Sequence, residues 1–185
     1  MRKARDVDGL LRELENPRLE YQEALGRIVP MTIRERAITE LQRLGSTSAV
    51  QPIAKLLADS VPTVRANAAT TLGRLGDDQV GQALISALKD SNDNVRHCAA
   101  RSLGHLKFRP AMSPLTSLLQ DPSVWLRLTA VRALARIGDK SSIEQIKTVT
   151  RKQSWQHPSL RLRFEWAWLK LRICGGEKRP KLSNR

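Results

Sequence analysis

Histidine and cysteine are the side chains that most often carry catalysis or bind metals, and this sequence holds three histidines and two cysteines. His97, His105 and His157 lack the spacing of zinc ligands, and Cys98 and Cys174 lie far apart in the chain. Cys98 next to His97 has the residue types of a thiol nucleophile and its base, but a cysteine within a helix behaves by default as a small apolar side chain. The sequence therefore predicts neither a catalytic site nor a metal site.

Arginine offers a different chemistry, because its planar guanidinium recognises carboxylates and other anions through two parallel hydrogen bonds. The chain has 32 Lys and Arg against 18 Asp and Glu, a net charge of +14. Residues 1–100 are almost neutral, whereas residues 151–185 hold ten basic and two acidic side chains. This distribution indicates an acidic partner towards the C-terminal end, namely a protein face, nucleic acid or anionic lipid, or else a solubilising surface with a basic tail.

The arginines recur because the sequence repeats itself. The segment VRANAATTLGRLG begins at residue 64, VRHCAARSLGHLK at 95 and LRLTAVRALARIG at 126, a step of 31 residues each time. A related segment begins at residue 33, and another begins at 160 after three inserted residues. Partner segments that end at Asp59, Asp90 and Asp121 repeat in phase. Each unit thus reads as two helices, with Asp, Ser, Asn and Pro in the loop between them and a glycine at the end of the second helix in most copies.

The repeat predicts an all-α fold. One helix pair cannot cover its own apolar face, so the pairs are expected to stack into a right-handed α-solenoid of about five units. The units cover about residues 29–48, 49–79, 80–110, 111–140 and 141–174. Residues 6–28 are expected to form an atypical helical cap, since no alternation typical of strands is visible. Residues 1–174 would then be one domain, followed by a basic flexible tail over residues 175–185.

One set of arginines falls among apolar residues of the second helix in each unit. At 100° per residue, Arg65 lies in the middle of the arc formed by Val64, Ala68 and Leu72. A charge there needs a partner, and an aspartate precedes this arginine by six residues. We therefore predict an arginine ladder, in which these aspartates pair with the arginines and tie each loop to its helix. Its members are Arg34, Arg65, Arg96, Arg127, Asp59, Asp90 and Asp121.

The opposite arc of the second helices is predicted to line the concave face of the solenoid as a basic groove. Aligned repeats place basic side chains in columns there, increasingly towards the C-terminus. Two tryptophans share this arc, where they suit stacking on a flat ligand or the centre of an interface, or could seal the core. A basic column is also compatible with a solvated surface that binds nothing. The predicted binding residues are Arg43, Arg74, Arg101, His105, Trp125, Arg132, Arg136, Arg163, Trp166 and Lys170.

The repeat resembles the HEAT-repeat superfamily, and more narrowly it is similar to the short HEAT-like repeats named after phycobilisome lyases. The pattern D…VR…A…LG.LG of that family matches residues 59–76, and it matches again at residues 90–107, except that Lys107 replaces the final glycine. The resemblance covers residues 33–150 well and residues 151–174 loosely. It implies an armadillo-type fold and a binding surface, because such repeats occur in subunits of bilin-attaching lyases, in factors acting on phycobilisomes, in adaptor proteins and in solenoids that grip DNA.

The leading hypothesis is a non-catalytic scaffold whose basic groove docks an acidic protein within a larger complex, related through the resemblance to phycobilisomes or phycobiliproteins. One alternative is a subunit of a phycobilin lyase or a bilin chaperone. Arg101, Arg132 and Arg136 would then clamp the two propionates of a bilin, while Trp125 or Trp166 stacks on a pyrrole. A second alternative is nucleic-acid binding through phosphate neutralisation. The chain alone is not expected to be an enzyme, and a bilin is the one cofactor considered.

The sequence also bears on compartment. No stretch of about 18 apolar residues is present to span a membrane, and the start MRKARDVDGLLRELENP lacks the apolar region of a secretory signal. Two cysteines are too few for a disulfide framework. We therefore expect a reducing, intracellular location, which is the cytoplasm, or the stroma if the source bears plastids.

Overall fold

The structure is a computed structural model that describes residues 7–24, 27–76 and 78–138. The chain begins with helix α1 (Val7–Glu13) and an antiparallel hairpin of strands β1 (Leu19–Ala24) and β2 (Arg27–Thr32). The helices that follow are α2 (Ile33–Leu44), α3 (Val50–Lys55), α4 (Pro62–Leu75), α5 (Gly81–Ala87), α6 (Asp93–Leu106), α7 (Met112–Ser117) and α8 (Val124–Ile137). Short 3-10 turns flank α3 and α7 on both sides, and one precedes α5.

The helices stack as repeated pairs. The long second helices α4, α6 and α8 lie side by side, and α3, α5 and α7 each pack against the long helix that follows in sequence. Leucines at equivalent positions of the long helices fill the core between these helices and the shorter first helices. Leu72, Leu103 and Leu134 are each fully buried. The predicted all-α solenoid is therefore confirmed. The expected unit over residues 141–174 and the expected tail over residues 175–185 lie outside the described residues.

The helix ends follow from local sequence. Thr32 caps α2 in a capping box, since its Oγ1 accepts from the backbone N–H of Glu35 at 3.1 Å and its own N–H donates to Glu35 Oε2 at 2.7 Å. Asn92 caps α6 by accepting from the N–H groups of two following residues. Gly45 and Gly138 end α2 and α8 with φ of 66° and 74°, the left-handed conformation that glycine adopts without strain.

Small residues bring the second helices close together. A side chain on Gly104 would place its Cβ 2.6 Å from the Cα of Ala133 on α8, which is less than van der Waals contact. On the other side of α6, the Ser102 Oγ donates to the carbonyl oxygen of Ala69 on α4 at 2.8 Å. The backbones of α4, α6 and α8 therefore approach one another closely, and their exposed side chains project from neighbouring helices.

The N-terminal expectation is wrong in part. A helix is present at Val7–Glu13, but residues 19–24 and 27–32 form the β-hairpin instead of the predicted helical cap. The strands pair in register, with Leu19 opposite Thr32 and Ala24 opposite Arg27. Val29 and Ile28 are β-branched, and Pro30 on β2 disfavours a helix interior, so local propensity favours strands here. The hairpin leads directly into α2.

Candidate partner-binding surface

The arginine ladder joins neighbouring repeats. Arg65 of α4 donates from Nε and Nη2 to the two carboxylate oxygens of Asp90, at 2.7 and 2.8 Å, and Asp90 belongs to the next repeat. Arg34 of α2 makes the equivalent contact one repeat earlier, to Asp59 in the loop before α4, with 2.5 Å between Nη1 and Oδ2. The side chains of Arg65 and Asp90 are 13% and 10% exposed, so both charges are largely withdrawn from water. Each pair therefore holds one repeat on the next.

The prediction that each arginine pairs with the carboxylate six residues ahead is wrong. Within its own repeat, Arg65 donates from Nη1 to the backbone carbonyl oxygen of Asp59 at 2.8 Å. The Asp59 carboxylate accepts from the backbone N–H of Val61 at 2.8 Å and so shapes the loop. The same contact to a backbone carbonyl recurs at Arg96 and Arg127, at 2.9 and 2.7 Å. The residue six positions before each arginine therefore supplies a backbone carbonyl. The carboxylate that pairs with Arg65 belongs to Asp90, which lies 25 residues after the arginine.

The ion pair of Arg65 with Asp90 is better formed than that of Arg96 with Asp121. The hydrogen bonds from Arg65 hold the pKa of Asp90 below its usual value, and the same bonds raise the pKa of Arg65. Arg96, one repeat later, lies 3.9 Å from the Asp121 carboxylate and binds the exposed Asp93 of its own helix more closely. The interface between α4 and α6 therefore has the better-formed ion pair.

Most of the predicted binding residues on α4, α6 and α8 are exposed, on the side of each helix opposite the ladder arginines. Arg74, His105 and Arg136 are exposed in the last turns of α4, α6 and α8, and Arg132 is exposed one turn earlier on α8. Arg101 is half-buried because its Nη2 donates across the repeat interface to the hydroxyl of Thr70 at 3.1 Å. Together these five form what we call the basic surface: Arg74, Arg101, His105, Arg132 and Arg136.

Negative charge is almost absent from the helices that carry the basic surface. α4 and α8 contain no Asp or Glu, and Asp93 of α6 already contacts the ladder arginine. Among the described residues, none forms an ion pair with Arg74, Arg101, Arg132 or Arg136. Arg43 on α2 differs, since its Nη1 lies 3.3 Å from the Glu40 carboxylate of its own helix. The unneutralised charge is therefore concentrated on α4, α6 and α8.

The histidines respond to this concentration of charge. Partial burial and the neighbouring Arg136, Arg101 and Arg74 together lower the pKa of His105. Arginines on α4, α6 and α8 thus act together on the His105 imidazole. His97 behaves similarly, because burial, Arg101 and Arg132 lower its pKa.

Two further side chains lie on the same helices. Trp125, near the start of α8, is 61% exposed, so it does not seal the core. The sequence predicts no structural role for His97, but its Nδ1 lies 2.8 Å from the hydroxyl of Thr129 and links α6 to α8. The sequence signal for this contact is weak, because Arg36 and Asn67 show that the position of Thr129 is polar in other repeats too. Cys98 is buried, and Arg163, Trp166 and Lys170 lie outside the described residues.

Other features of the described chain do not coincide with the basic surface. A cleft of about 290 Å³ lies between α1 and α3 and is lined by Leu11, Arg12, Leu14, Glu15, Pro52, Lys55 and Leu56. Residues 7–138 with their two gaps bring no three His, Cys, Asp or Glu side chains together as a metal site. In that same portion, no helix combines the length and the apolar character needed to cross a membrane.

Comparison with known proteins agrees with this architecture. The family model for HEAT repeats matches residues 31–96 and 81–157. The complex of CpcE and CpcF of phycocyanin lyase from Nostoc sp. PCC7120 is similar, with a TM-score of 0.70 and 22% identity over 92% of this chain and 68% of that chain. A designed armadillo repeat protein in complex with the peptide (KR)4 has a TM-score of 0.59 and 17% identity over 89% of this chain and 81% of that one. No curated protein matches the sequence.

Proposed function

The chain belongs to the HEAT-repeat family, and on that premise we propose that it is a non-catalytic scaffold whose basic surface docks an acidic protein within a larger complex. One observation carries the proposal. Arg74, Arg101, Arg132 and Arg136 project from three packed helices without a carboxylate partner among the described residues. The ladder arginines Arg34, Arg65 and Arg96, which serve the fold, do have carboxylate partners.

The physical argument concerns what this charge does in solution. Four guanidinium groups on adjacent helices create a positive potential. This potential attracts acidic protein surfaces at long range and raises their rate of association. Each arginine then offers two parallel donors to a carboxylate, which fixes the orientation of the partner. The exposed Trp125 supplies apolar area on the same row of helices, and tryptophan and arginine are the residues most enriched at the centres of interfaces.

The kind of partner follows from composition and from the similar structures. Aromatic residues, which stack on exposed bases, make up 4% of the chain, and residues 1–100 carry little net charge. These features favour a protein over a nucleic acid. Both similar structures hold two polypeptides, CpcE with CpcF in one and a designed repeat protein with a peptide in the other. By analogy the present partner is a polypeptide, and a protein of the phycobilisome is the specific candidate.

A charge-reversal experiment tests the proposal. Immobilised native protein should capture a defined acidic protein from extracts of its source, and 0.5 M salt should release it, because salt screens exposed charges. The double variant Arg101→Glu/Arg132→Glu should lose that protein. The control Lys55→Glu/Lys89→Glu changes the net charge equally at exposed positions on or next to the first helices, and it should retain binding.

The outcome depends on matched stability. Melting temperatures of the two double variants should lie within a few degrees of each other. Retention of the partner by Arg101→Glu/Arg132→Glu would reject the assignment of the basic surface. Capture of DNA or RNA of any sequence, with a steep dependence on salt, would replace an acidic protein by nucleic acid as the partner.

A second candidate is a phycobilin lyase subunit or a bilin chaperone. Trp125 is exposed on α8 with Arg132 and Arg136 further along the helix, so one bilin could stack on the indole while its propionates meet the arginines. The similar fold of a phycocyanin lyase complex supports the same candidate. Mixing the protein with free bilin should then change the visible absorbance spectrum, and Trp125→Ala should reduce that change. An unchanged spectrum would exclude the bilin as ligand.

A further inference from the structure

Lys107 occupies a position that the fold otherwise gives to glycine. It ends α6 with φ of 53°, and it is the one residue other than glycine with positive φ in the described part of the chain. The equivalent residues that end α2 and α8 are Gly45 and Gly138, with φ of 66° and 74°, whereas Gly76 ends α4 with an extended backbone and φ of −76°. A side chain in this left-handed conformation is strained, because its Cβ approaches the backbone. Lys107 therefore lowers the stability of the turn relative to glycine.

The turn around Lys107 cannot relax to another conformation without losing contacts. The backbone N–H groups of Lys107 and Phe108 both donate to the carbonyl oxygen of Leu103, the latter at 3.1 Å. Phe108 is fixed in turn, since its ring lies 2.6 Å from where a Cβ on Gly81 would stand. The hydrogen bond of Phe108 and the packing of its ring are made with Lys107 in the left-handed conformation. A lysine that adopts this strained conformation, where glycine would be free of strain, points to a use for its side chain.

The side chain of Lys107 extends the basic surface. It follows His105 by two residues, at the same end of the helix row as Arg74 and Arg136. The aligned positions in the neighbouring repeats are Gly76 and Gly138, which have no side chains to cover it. Lys107 is exposed and forms no ion pair with any residue that the structure describes.

We propose that Lys107 is a further binding residue of the basic surface, and that its ammonium group contacts a carboxylate of the acidic partner. This inference rests on the proposed function and adds to it a residue at the end of α6. A purely structural role is the competing explanation, because a cation at a helix C-terminus interacts favourably with the helix dipole. The two explanations predict different results for the same substitutions.

The test pairs stability with binding of a defined acidic probe, a fluorescein-labelled peptide of ten glutamates, measured by anisotropy at low salt. Lys107→Gly should raise the melting temperature by about 2–4 °C as the strain is released, and it should weaken peptide binding by about two- to fivefold, as expected for one exposed ion pair. Lys107→Asn tolerates the left-handed conformation and should weaken binding equally. Lys107→Arg keeps the charge and should bind as the native protein does.

Lys89→Asn is the matched control, since it removes one exposed lysine next to the first helix of the same repeat and should not affect binding. Unchanged affinity in Lys107→Gly and Lys107→Asn, with Arg101→Glu/Arg132→Glu defective, would overturn the role of Lys107 alone. A lower melting temperature in Lys107→Gly would favour the structural role and overturn the proposal. If the native protein binds no peptide and captures no acidic protein, the proposed function fails together with this inference.

Discussion

Arg65 and Arg74 lie on the same helix, nine residues apart, and have opposite roles. Arg65 points into the repeat interface, is 13% exposed, and meets a carboxylate of the next repeat at 2.7 Å. Arg74 is exposed at the end of α4 and has no ion-pair partner among the described residues. Both recur at intervals of one repeat. The difference shows that the recurrence of a charged residue does not reveal its role, whereas its burial and partner do.

The largest effect on stability should follow from removing Arg65, the buried arginine of the two. Arg65→Ala leaves the carboxylate of Asp90 without its cation in a nearly dry interface, and it should lower the free energy of unfolding by about 3 kcal/mol. Chemical denaturation measures this directly. Arg96→Ala should cost less, because Arg96 lies 3.9 Å from Asp121. Equal losses in the two variants would contradict the ranking of the two pairs.

The same pair sets a dependence of stability on acid. The pKa of Asp90 is lower in the folded chain than in the unfolded chain, so the unfolded state binds the proton more readily. The stabilisation is therefore present above about pH 4, the ordinary pKa of aspartate, and it is lost as the pH falls through the lower folded value. Asp90→Asn should remove this part of the acid dependence. An unchanged profile between pH 5 and pH 2 would contradict the assignment.

A smaller effect on stability, with a clear effect on binding, should follow from the exposed side. Arg74→Gln should change the free energy of unfolding by less than about 0.5 kcal/mol, as is usual for surface substitutions. Its affinity for the acidic partner should fall, because one guanidinium no longer contacts a carboxylate. Calorimetric titration and denaturation on the same variant give both quantities. A loss of stability like that of Arg65→Ala would place Arg74 with the ladder.

The smallest effect concerns the pH dependence of binding. His105 is largely neutral at pH 7 because burial and three arginines lower its pKa, and a carboxylate of the partner would favour its protonated form. Affinity should therefore rise by about two- to fivefold from pH 8 to pH 5.5, the gain expected for one exposed ion pair. His105→Gln should flatten this dependence, and His105→Arg should bind more tightly at pH 8. A pH-independent affinity in the native protein would show that His105 stays outside the interface.

Much of this comparison could be predicted from the sequence. The 31-residue step predicts the helix pairs, and helical periodicity separates Arg65 from Arg74 because residues nine apart on a helix fall on opposite sides. The salt-bridge partner could not be predicted, since periodicity within one helix holds no information on which loop of the next repeat lies beside it. The loops that hold Asp59 and Asp90 both lie next to Arg65, and the way the repeats stack determines that the Asp90 carboxylate is its partner.

The missed elements have local causes. The β-hairpin at residues 19–32 precedes the regular repeats, so the repeat gives no information about it, and a two-stranded sheet leaves only a weak alternation. The exposure of Trp125 depends on how α8 packs against α6, which periodicity alone leaves undecided. Lys107 was visible as an exception to the glycine pattern, but only the observed φ of 53° shows that the lysine adopts the conformation of glycine instead of avoiding it.

The cross-repeat contacts of the ladder have a consequence for how such a chain can change in length. At the first two joints an arginine reaches forward to an aspartate supplied by the following unit, Arg34 to Asp59 and Arg65 to Asp90. A duplicated segment of 31 residues would bring one arginine and one aspartate, so it could be inserted at either of these joints with both charges still paired. Gene duplication can therefore lengthen the array there without leaving a new buried charge unpaired.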